Sequence, residues 1–538
     1  MRAHTLLLAA LVAAGAGRAG AQAPGSCELG RAEADLDVGG VRAKVFNAGN
    51  LFFRDEIWAA YEVPRGSGRS PLFAAGLWVG GVVDGELRMA GATYGDFEFW
   101  PGPLDPATGR PPDPSDCSAY DRIWRVSRYD VAEYYRTGVA SPDLAEWPHA
   151  LGAPVIDGDG DPTNYDLAGG DQPAISGDQM LWWVMNDVGN EHRITGAPPM
   201  GLEVRVEAFA FGGGPIHLTH ATFYRYTFVY HSSRPIENAV YALWVDPDLG
   251  SATDDYVAVD TSLGLGIAYN ADNKDGQGAP PSYGESPPAL GVDLLSTGAG
   301  AFRYLIEIPH PYGDPNGGPA MYHAMQGRWN DGTPVRMGGL GDWPPTAPIT
   351  TFHFPGDPVT GRFWSERCPS APACGSAITP GDRRFLISAP LSLVPAVAQS
   401  HVVALLHGQA DDNLDSITEL RRASTYAQNA HDAGLLTAQR VPGWPGPPPP
   451  PKAIELRRPA PNPFSDEAVM SITLPAAAGV RVALVDVLGR EVQVVRDGPL
   501  DAGAHAITLP GAGLAPGVYI ARVWVAGQSA GALPVTRR

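Results

Sequence analysis

The sequence predicts a mainly β protein, and three observations support this fold class. Glycine and proline are abundant, at 65 and 53 of 538 residues, which indicates many turns and few long helices. Hydrophobic residues make up 44% of the chain and charged residues only 18%, so the chain can bury a core. Short segments of alternating apolar and polar residues are typical of half-buried strands. We therefore expect a large β-rich, sandwich-like body followed by a smaller β-sandwich.

The first 23 residues have the features of a secretory signal peptide. Arg2 precedes an apolar stretch at residues 5–16, and Ala21 and Ala23 form a small-x-small cleavage signature. This stretch is shorter than the ~20 residues of a membrane-spanning helix, and glycine, proline or charge interrupts every later apolar run. The sequence therefore predicts export via the periplasm, with no transmembrane segment in the mature chain.

The predicted body covers residues 24–440. Residues 202–209 and 222–230 alternate with the period of two of half-buried strands, whereas residues 238–245 are typical of a more deeply buried strand. We find no internal repeat of fixed period, which argues against a propeller or a solenoid. One β-rich body and two fused sandwiches that divide near residue 200 both fit this pattern.

One segment of the body, residues 411–434, has a helical pattern instead. It begins with acidic residues and ends at Gly434, as expected of a helix of roughly five turns that closes the body. Its apolar residues recur at helical spacing: Leu414, Ile417, Leu420, Ala423 and Ala427.

The chain has four cysteines, an even number that permits disulfides in an exported protein. Cys368 and Cys374 would close a tight surface loop, and a bridge between Cys27 and Cys117 would then follow by elimination. Sequence alone does not determine the pairing. A zinc site is the alternative, but no histidine lies at ligand spacing from these cysteines.

The first candidate metal site is an acidic loop with aspartates at alternate positions. Asp157, Asp159 and Asp161 alternate with glycine, a pattern that directs oxygen atoms toward one centre in calcium loops, and Asp166 can supplement them. The loop lacks the bidentate glutamate of an EF-hand, because Ala168 occupies that position. A hydrated acidic turn without an ion is the alternative.

A second acidic segment follows the strand predicted at 238–245. Asp246, Asp248, Asp254, Asp255 and Asp260 lie within residues 246–260. Carboxylates at this density repel one another unless a cation or backbone donors compensate them. Calcium binding again competes with an exposed acidic loop, and a glycosidase acid and base pair is a third interpretation.

The charge of the chain restricts its partners. The net charge is −20, and the first 23 and the last 86 residues are slightly positive, so the body is more acidic than the chain as a whole. Such a body is not expected to bind nucleic acid or anionic membranes, whereas cations are plausible partners.

Catalytic signatures are missing from the sequence. It contains no G-x-S-x-G, no H-E-x-x-H, no phosphate-binding glycine loop of P-loop type and no cysteine–histidine pairing typical of a thiol protease. The 13 tryptophans are expected mainly in the core, although aromatic faces can also stack on sugars. We therefore predict a non-enzymatic, calcium-stabilised adhesion or binding protein. The alternative is a secreted polysaccharide-active enzyme or carbohydrate-binding protein.

A proline-rich linker at residues 441–452 separates the body from a terminal module at 453–538. Consecutive prolines cannot join a helix or a sheet interior and form a stiff spacer. In the module, residues 469–474, 480–492, 500–509 and 514–523 alternate apolar and polar residues, which predicts an antiparallel sandwich of about seven strands.

Four short motifs follow one another in this module. Their residues are Pro461, Asn462, Pro463 and Phe464, then Asp486, Gly489, Arg490 and Glu491, then Gly503 and His505, and finally Gly517 and Tyr519. Their order at the end of the chain resembles the C-terminal sorting domain of the type IX secretion system. On strand pattern alone, a generic immunoglobulin-like module is the alternative.

The resemblance covers only residues 453–538. It implies an immunoglobulin-like sandwich that the outer-membrane secretion machinery recognises and its peptidase removes. It also implies attachment of the body to surface lipopolysaccharide, so that the mature protein is secreted or at the cell surface. Extracellular polysaccharide is a further expected partner. The body resembles uncharacterised exported proteins with such a domain, which implies no activity.

Overall fold

The computed structural model describes residues 27–53, 60–306, 313–342, 344–370, 375–441, 454–500 and 503–538. The predicted signal peptide and all of the predicted linker except Val441 lie outside these residues. The chain forms two compact units. One contains the described residues from Cys27 to Val441 except Ala132–Val139, and the other contains that segment and the described residues from Ile454 to the end.

The body consists mainly of strands. In chain order they are β1 (Glu33–Leu36), β2 (Arg42–Phe46), β3 (Asn50–Leu51), β4 (Tyr61–Glu62), β5 (Ala74–Val83), β6 (Glu86–Ala90), β7 (Trp100–Pro101), β8 (Trp124–Ser127), β9 (Val155–Ile156), β10 (Gln172–Pro173), β11 (Gln179–Asn186), β12 (Leu202–Ala210), β13 (Thr222–Tyr230), β14 (Glu237–Asp246), β15 (Asp255–Asp260), β16 (Leu265–Asn270), β17 (Lys274–Asp275), β18 (Gly284–Glu285), β19 (Ala289–Leu294), β20 (Ala301–Ile306), β21 (Val335–Arg336), β22 (Ile349–Thr350), β23 (Arg383–Pro390) and β24 (Gln399–Gly408).

Helices are short except for the last one. They are α1 (Arg128–Thr137), α2 (Pro142–Ala145), α3 (Ile216–Thr219), α4 (Gly318–Met325) and α5 (Asn413–Asp432), with 3₁₀ turns at Cys117–Tyr120 and His149–Leu151. None of the helices among the described residues is long and apolar enough to cross a membrane.

Two nine-stranded antiparallel sheets form the body. The first has the order β1-β2-β3-β5-β14-β23-β20, with β4 beside β2 and β6 beside β5. The second has the order β15-β16-β19-β24-β13-β12-β11-β7, with β8 beside β11. Strands from both sides of residue 200 belong to each sheet, so residue 200 marks no boundary between the sheets.

The two sheets share one hydrophobic core. Leu77 of β5 and Leu243 of β14 belong to the same buried cluster as Val204 of β12 and Leu405 of β24. Alternate residues of the first sheet face outward, where Trp78 joins a second cluster with side chains of helix α4. Burial on both faces explains why nine of the ten residues of β5 and the last six residues of β14 are buried.

Helix α5 confirms the helix that the sequence predicts near the end of the body. Ile417, Leu420, Ala423 and Ala427 are buried, whereas Leu414 is only partly buried. The helix packs against the second sheet, and Gly408 of β24 permits the close approach, because a Cβ there would lie 2.3 Å from the backbone nitrogen of Leu420. The Asp412 carboxylate caps the N-terminus and accepts hydrogen bonds from the backbone N–H of Leu414 at 2.9 Å and of Asp415 at 2.8 Å.

The cap of helix α5 gives a first prediction. We expect Asp412→Ala to lower the free energy of unfolding by about 1 kcal/mol, because two helix-terminal N–H groups lose their acceptor. Urea unfolding followed by circular dichroism measures this change. Asp411→Ala removes the same charge from the neighbouring exposed residue and serves as the control. An equal loss in both variants would show that the cap contributes nothing.

The C-terminal unit is a seven-stranded sandwich. Its strands are β25 (Glu455–Ala460), β26 (Glu467–Leu474), β27 (Ala478–Val485), β28 (Glu491–Leu500), β29 (Gly503–Pro510), β30 (Gly517–Val525) and β31 (Gln528–Arg537). They form a three-stranded sheet, β25-β26-β29, and a four-stranded sheet, β28-β27-β30-β31. Side chains such as Ile472, Val482 and Val523 form a separate core. The predicted fold class, mainly β with one helix near the end of the body, is therefore confirmed.

Candidate cation sites and C-terminal motifs

A cluster of carboxylates lies where strand β14 ends and strand β23 begins. The two strands pair antiparallel, with Val245 opposite Phe385, so the last residue of β14 meets the residues at the start of β23. One carboxylate oxygen from each of Asp246, Asp248 and Asp382 lies within 4.8 Å of the others. We call these three residues the β14–β23 cluster.

Arg384 and Tyr94 occupy one side of this cluster. The Arg384 guanidinium donates from Nη2 to Asp382 Oδ2 and from Nη1 to Asp314 Oδ2, both at 2.8 Å. Its Nε donates to the Tyr94 hydroxyl at 2.8 Å, and this hydroxyl donates to Asp246 Oδ2 at 2.5 Å. Oδ1 of Asp246 and Oδ1 of Asp382 are buried, and the described residues supply no hydrogen-bond partner for either atom.

Burial and mutual repulsion set the charge state of the cluster. Asp246 is 3% exposed, and burial followed by the charge of Asp248 raises the pKa of its carboxyl far above the usual range. Burial followed by the charge of Asp382 raises the pKa of Asp248 in the same direction. Arg384 lowers both pKa values but does not cancel these effects. The cluster is therefore short of positive charge.

The other three aspartates of this sequence segment do not belong to the cluster. Asp260 accepts a hydrogen bond from Arg421 Nε at 2.9 Å. Asp255 is fully buried and accepts a hydrogen bond from the backbone N–H of Leu249 at 3.0 Å. Asp254 accepts from Gly276 N at 3.2 Å, near the buried Asp275. Burial, together with the negative charge of Asp254, raises the pKa of Asp275 to about 6, although hydrogen bonds from backbone N–H groups act in the opposite direction.

The acidic loop at residues 157–171 forms a second group of carboxylates. Oxygens of Asp157, Asp159 and Asp171 lie within 4.8 Å of one another. Asp157 and Asp159 are exposed, whereas Asp171 is buried and accepts from Gly158 N at 2.8 Å and Asp166 N at 2.7 Å. The pKa of the Asp171 carboxyl lies below its usual value, and the hydrogen bond from the backbone N–H of Gly158 is the largest cause.

Two predicted ligands of this loop bind the backbone instead. Asp161 Oδ1 accepts from the N–H of Thr163 at 3.0 Å and from its hydroxyl at 2.6 Å. Asp166 Oδ1 accepts from Ala168 N at 3.0 Å. Neither residue belongs to the group of facing carboxylates, and Asp171 takes part in their place.

The first C-terminal motif joins the two ends of the terminal unit. Asn462 donates from Nδ2 to the Pro534 carbonyl at 3.1 Å and accepts from Thr536 N at 2.9 Å. Phe464, 1% exposed, enters the core, and its N–H donates to the Thr536 carbonyl at 2.9 Å. Pro461 and Pro463 flank Asn462, so the motif ties the segment before β26 to the last strand.

The second motif forms the hairpin between β27 and β28. Asp486 Oδ1 accepts from the N–H groups of Leu488 and Arg490 at 2.9 Å, and Oδ2 accepts from Arg490 Nε at 2.8 Å. Gly489 has a φ of +81°, which favours glycine. Glu491 then begins β28 and accepts from Arg481 at 2.7 Å.

The other two motifs belong to strands of the two sheets. Gly503 begins β29, and His505 lies opposite Ile472 of β26. Gly517 begins β30, and Tyr519 is buried, with its hydroxyl donating to the Ala515 carbonyl at 2.7 Å. The motif residues thus hold turns and strand ends, while the side chains at the hairpin tip, Val487 and Leu488, are 73% and 75% exposed.

The predicted disulfide between Cys27 and Cys117 is confirmed, with a Cα–Cα distance of 5.7 Å. Trp100 packs against it. Cys368 is also disulfide-bonded, whereas its predicted partner Cys374 lies outside the described residues.

The burial of the described tryptophans shows whether they belong to the core or can stack on sugars. Every described tryptophan of the body is at most 5% exposed, and Trp182 and Trp183 are each 1% exposed. These side chains are core residues and offer no exposed face for a sugar ring.

No protein-family model and no curated protein matches the chain. Among solved structures, it is similar to the alkylpurine DNA glycosylase AlkC of Pseudomonas fluorescens bound to DNA containing an abasic site analogue, at 15% identity over 23% of this chain and 39% of that one, with a TM-score of 0.13. A polysaccharide lyase matches at 8% identity over 66% and 39%, with a TM-score of 0.17.

The dimeric latent form of PorU from Porphyromonas gingivalis matches at 8% identity over 67% of this chain and 31% of that chain, with a TM-score of 0.14. The chain thus spans less than two fifths of the length of each of these proteins. Scores of this size do not establish a shared fold, and we infer no function from them.

Proposed function

We propose that this chain is an exported protein of the cell surface or the medium, delivered by its C-terminal unit acting as a type IX secretion sorting domain. The observation that carries this proposal is the combination of a separate core with the four motifs in their expected order. A signal that is recognised after crossing the inner membrane needs a stable surface of its own. The motif residues support such a surface, because they fix the turns and strand ends of the sandwich.

The exposed hairpin between β27 and β28 supplies a surface for recognition within this proposal. Asp486 and Gly489 fix the hairpin, and Val487 and Leu488 extend from its tip into solvent. Exposed apolar side chains on a rigid turn are typical of protein contact sites. The secretion machinery and its peptidase are the partners that the resemblance implies.

For the body we propose a non-enzymatic adhesion or binding protein that calcium stabilises. The two groups of facing carboxylates support calcium, because oxygen ligands of this kind are those that the ion prefers. The absence of catalytic motifs from the sequence supports a binding role. A polysaccharide-active enzyme is less well supported, since Asp246 and the described tryptophans of the body are buried away from any polymer.

Deletion of residues 453–538 tests the sorting role. We expect the truncated protein to fold but to stay in the periplasm, because the body has its own core and loses only the sorting signal. Immunoblots of periplasm, cell surface and medium measure its location, and circular dichroism of the periplasmic protein measures its fold. The full chain with Glu455→Ala, an exposed change on β25, is the control. Normal secretion of the truncated protein would disprove the sorting role.

A further inference from the structure

The β14–β23 cluster has more negative charge than its surroundings neutralise. Asp246, Asp248, Asp382 and the neighbouring Asp314 carry four carboxyl groups. The Arg384 guanidinium donates to Asp314 and Asp382 and also forms an ion pair with Asp246 Oδ2 at 3.6 Å, so one positive charge faces four carboxyl groups. The Oδ1 atoms of Asp246 and Asp382 are buried without a donor from the described residues. A buried carboxylate oxygen without a partner is costly, so a bound cation would stabilise this arrangement.

We propose that Asp246, Asp248 and Asp382 together bind one calcium ion. The proposal rests on the calcium-stabilised body proposed above and assigns the ion to one site. Asp382 is then a third ligand, and it lies outside the acidic segment at residues 246–260. The ion joins the end of β14, the turn after it and the start of β23.

The distances within the cluster fit calcium. Two oxygens that bind the same calcium ion at 2.3–2.6 Å lie at most about 5 Å apart. One oxygen from each of the three carboxylates lies within 4.8 Å of the others, so all three can reach one centre. The donors are all carboxylate oxygens, which favours a hard cation over zinc, for which nitrogen and sulfur ligands are typical. Calcium also tolerates irregular geometry better than magnesium does.

The hydrogen bonds around the cluster leave the buried Oδ1 atom of Asp246 and of Asp382 available. Tyr94 binds Oδ2 of Asp246, and Arg384 binds Oδ2 of Asp382. The Oδ1 atoms therefore have no competing donor among the described residues. Arg384 also offsets part of the repulsion among the carboxylates, so a single divalent cation removes most of the remaining charge.

The 157–171 loop is a weaker site by the same criteria. Asp157 and Asp159 are exposed to water, and each already accepts a backbone N–H, from Gly160 at 2.6 Å and from Asp161 at 2.8 Å. The third residue, Asp171, accepts backbone N–H groups through both of its oxygens. The loop therefore satisfies its carboxylates without an ion, which the β14–β23 cluster does not.

Calcium titration of the secreted protein and two variants tests this assignment. After removal of bound ions with a chelator, we expect isothermal titration with CaCl2 to show calcium binding to the wild type. In Asp382→Asn the affinity for calcium should fall at least about tenfold, because the site loses a charged ligand. The melting temperature of the wild type should rise with CaCl2, and this rise should shrink in the variant. Asp157→Asn removes a carboxylate from the other loop and should keep both effects.

The outcomes separate this inference from the wider proposal. If the wild type binds calcium and Asp382→Asn binds it equally well, the site assignment is wrong while a calcium-stabilised body stands. If CaCl2 and chelator leave binding and melting of the wild type unchanged, both are wrong. Should Asp382→Asn fail to fold, Asp248→Asn, whose residue is only partly buried, provides the same comparison.

Discussion

Replacement of Glu366 by alanine is expected to lower the free energy of unfolding by about 3–5 kcal/mol. Glu366 is fully buried and accepts hydrogen bonds from Arg383 Nε at 2.6 Å and from the backbone N–H of Val257 at 2.8 Å. Alanine leaves the Arg383 guanidinium, which is itself 7% exposed, without its carboxylate. Because typical domains are stable by only about 5–15 kcal/mol, a loss of this size threatens folding of the body.

Urea unfolding of the body followed by tryptophan fluorescence measures this loss. Glu419→Ala breaks an exposed ion pair with Arg422 on helix α5 and is expected to cost less than about 1 kcal/mol. The double variant Glu366→Leu with Arg383→Met removes both charges and should lose less than Glu366→Ala alone. Equal losses in Glu366→Ala and Glu419→Ala would contradict the role of the buried pair.

The sequence predicts the secondary structure of this protein better than its topology. Alternation at residues 222–230 coincides with strand β13, and the helical pattern at 411–434 coincides with α5, because both depend on neighbouring residues. The sheet order depends on distant pairs, as in β5 with β14 and β14 with β23. Nothing in the local pattern determines which of two distant buried strands becomes the neighbour.

The same distinction applies to the candidate metal sites. Asp246 and Asp248 stand out because aspartates are dense at 246–260, whereas Asp382 precedes its strand without a comparable cluster. Only the pairing of β14 with β23 brings it to the other two. Asp161 shows the opposite case. Alternating aspartates and glycines suit a calcium loop and a series of turns equally well, and here the side chain accepts hydrogen bonds from the backbone N–H and the hydroxyl of Thr163.

The C-terminal motifs were predictable as motifs, but their positions required the structure. Asn462 bridges to Thr536, more than seventy residues later, and no local pattern indicates this contact. The turn at Asp486 is easier to predict from the sequence, because Asp and Gly at this spacing favour a tight hairpin. The conformation of a motif therefore follows from local chemistry where its hydrogen bonds join residues close in sequence. Where the hydrogen bonds join distant residues, the conformation depends on the sandwich fold.

Removal of the disulfide between Cys27 and Cys117 is expected to lower the free energy of unfolding by about 2–5 kcal/mol. The bond links residues 90 positions apart, so it restricts a large loop of the unfolded chain. In the folded protein it ties the segment before β1 to the 3₁₀ turn at Cys117–Tyr120. The variant with Cys27→Ala and Cys117→Ala keeps Cys368 unchanged. Reduction of the wild type would not separate the two bonds.

Urea unfolding under non-reducing conditions should reveal two changes in this double variant. The midpoint should fall, and the dependence of the unfolding free energy on urea should steepen, because the unfolded chain without the bond expands and exposes more surface. Loss of packing around Trp100 alone would lower the midpoint without the steeper dependence. Ser118→Ala, an exposed change beside Cys117, is the matched control. A midpoint like that of this control would mean that the bond does not stabilise the body.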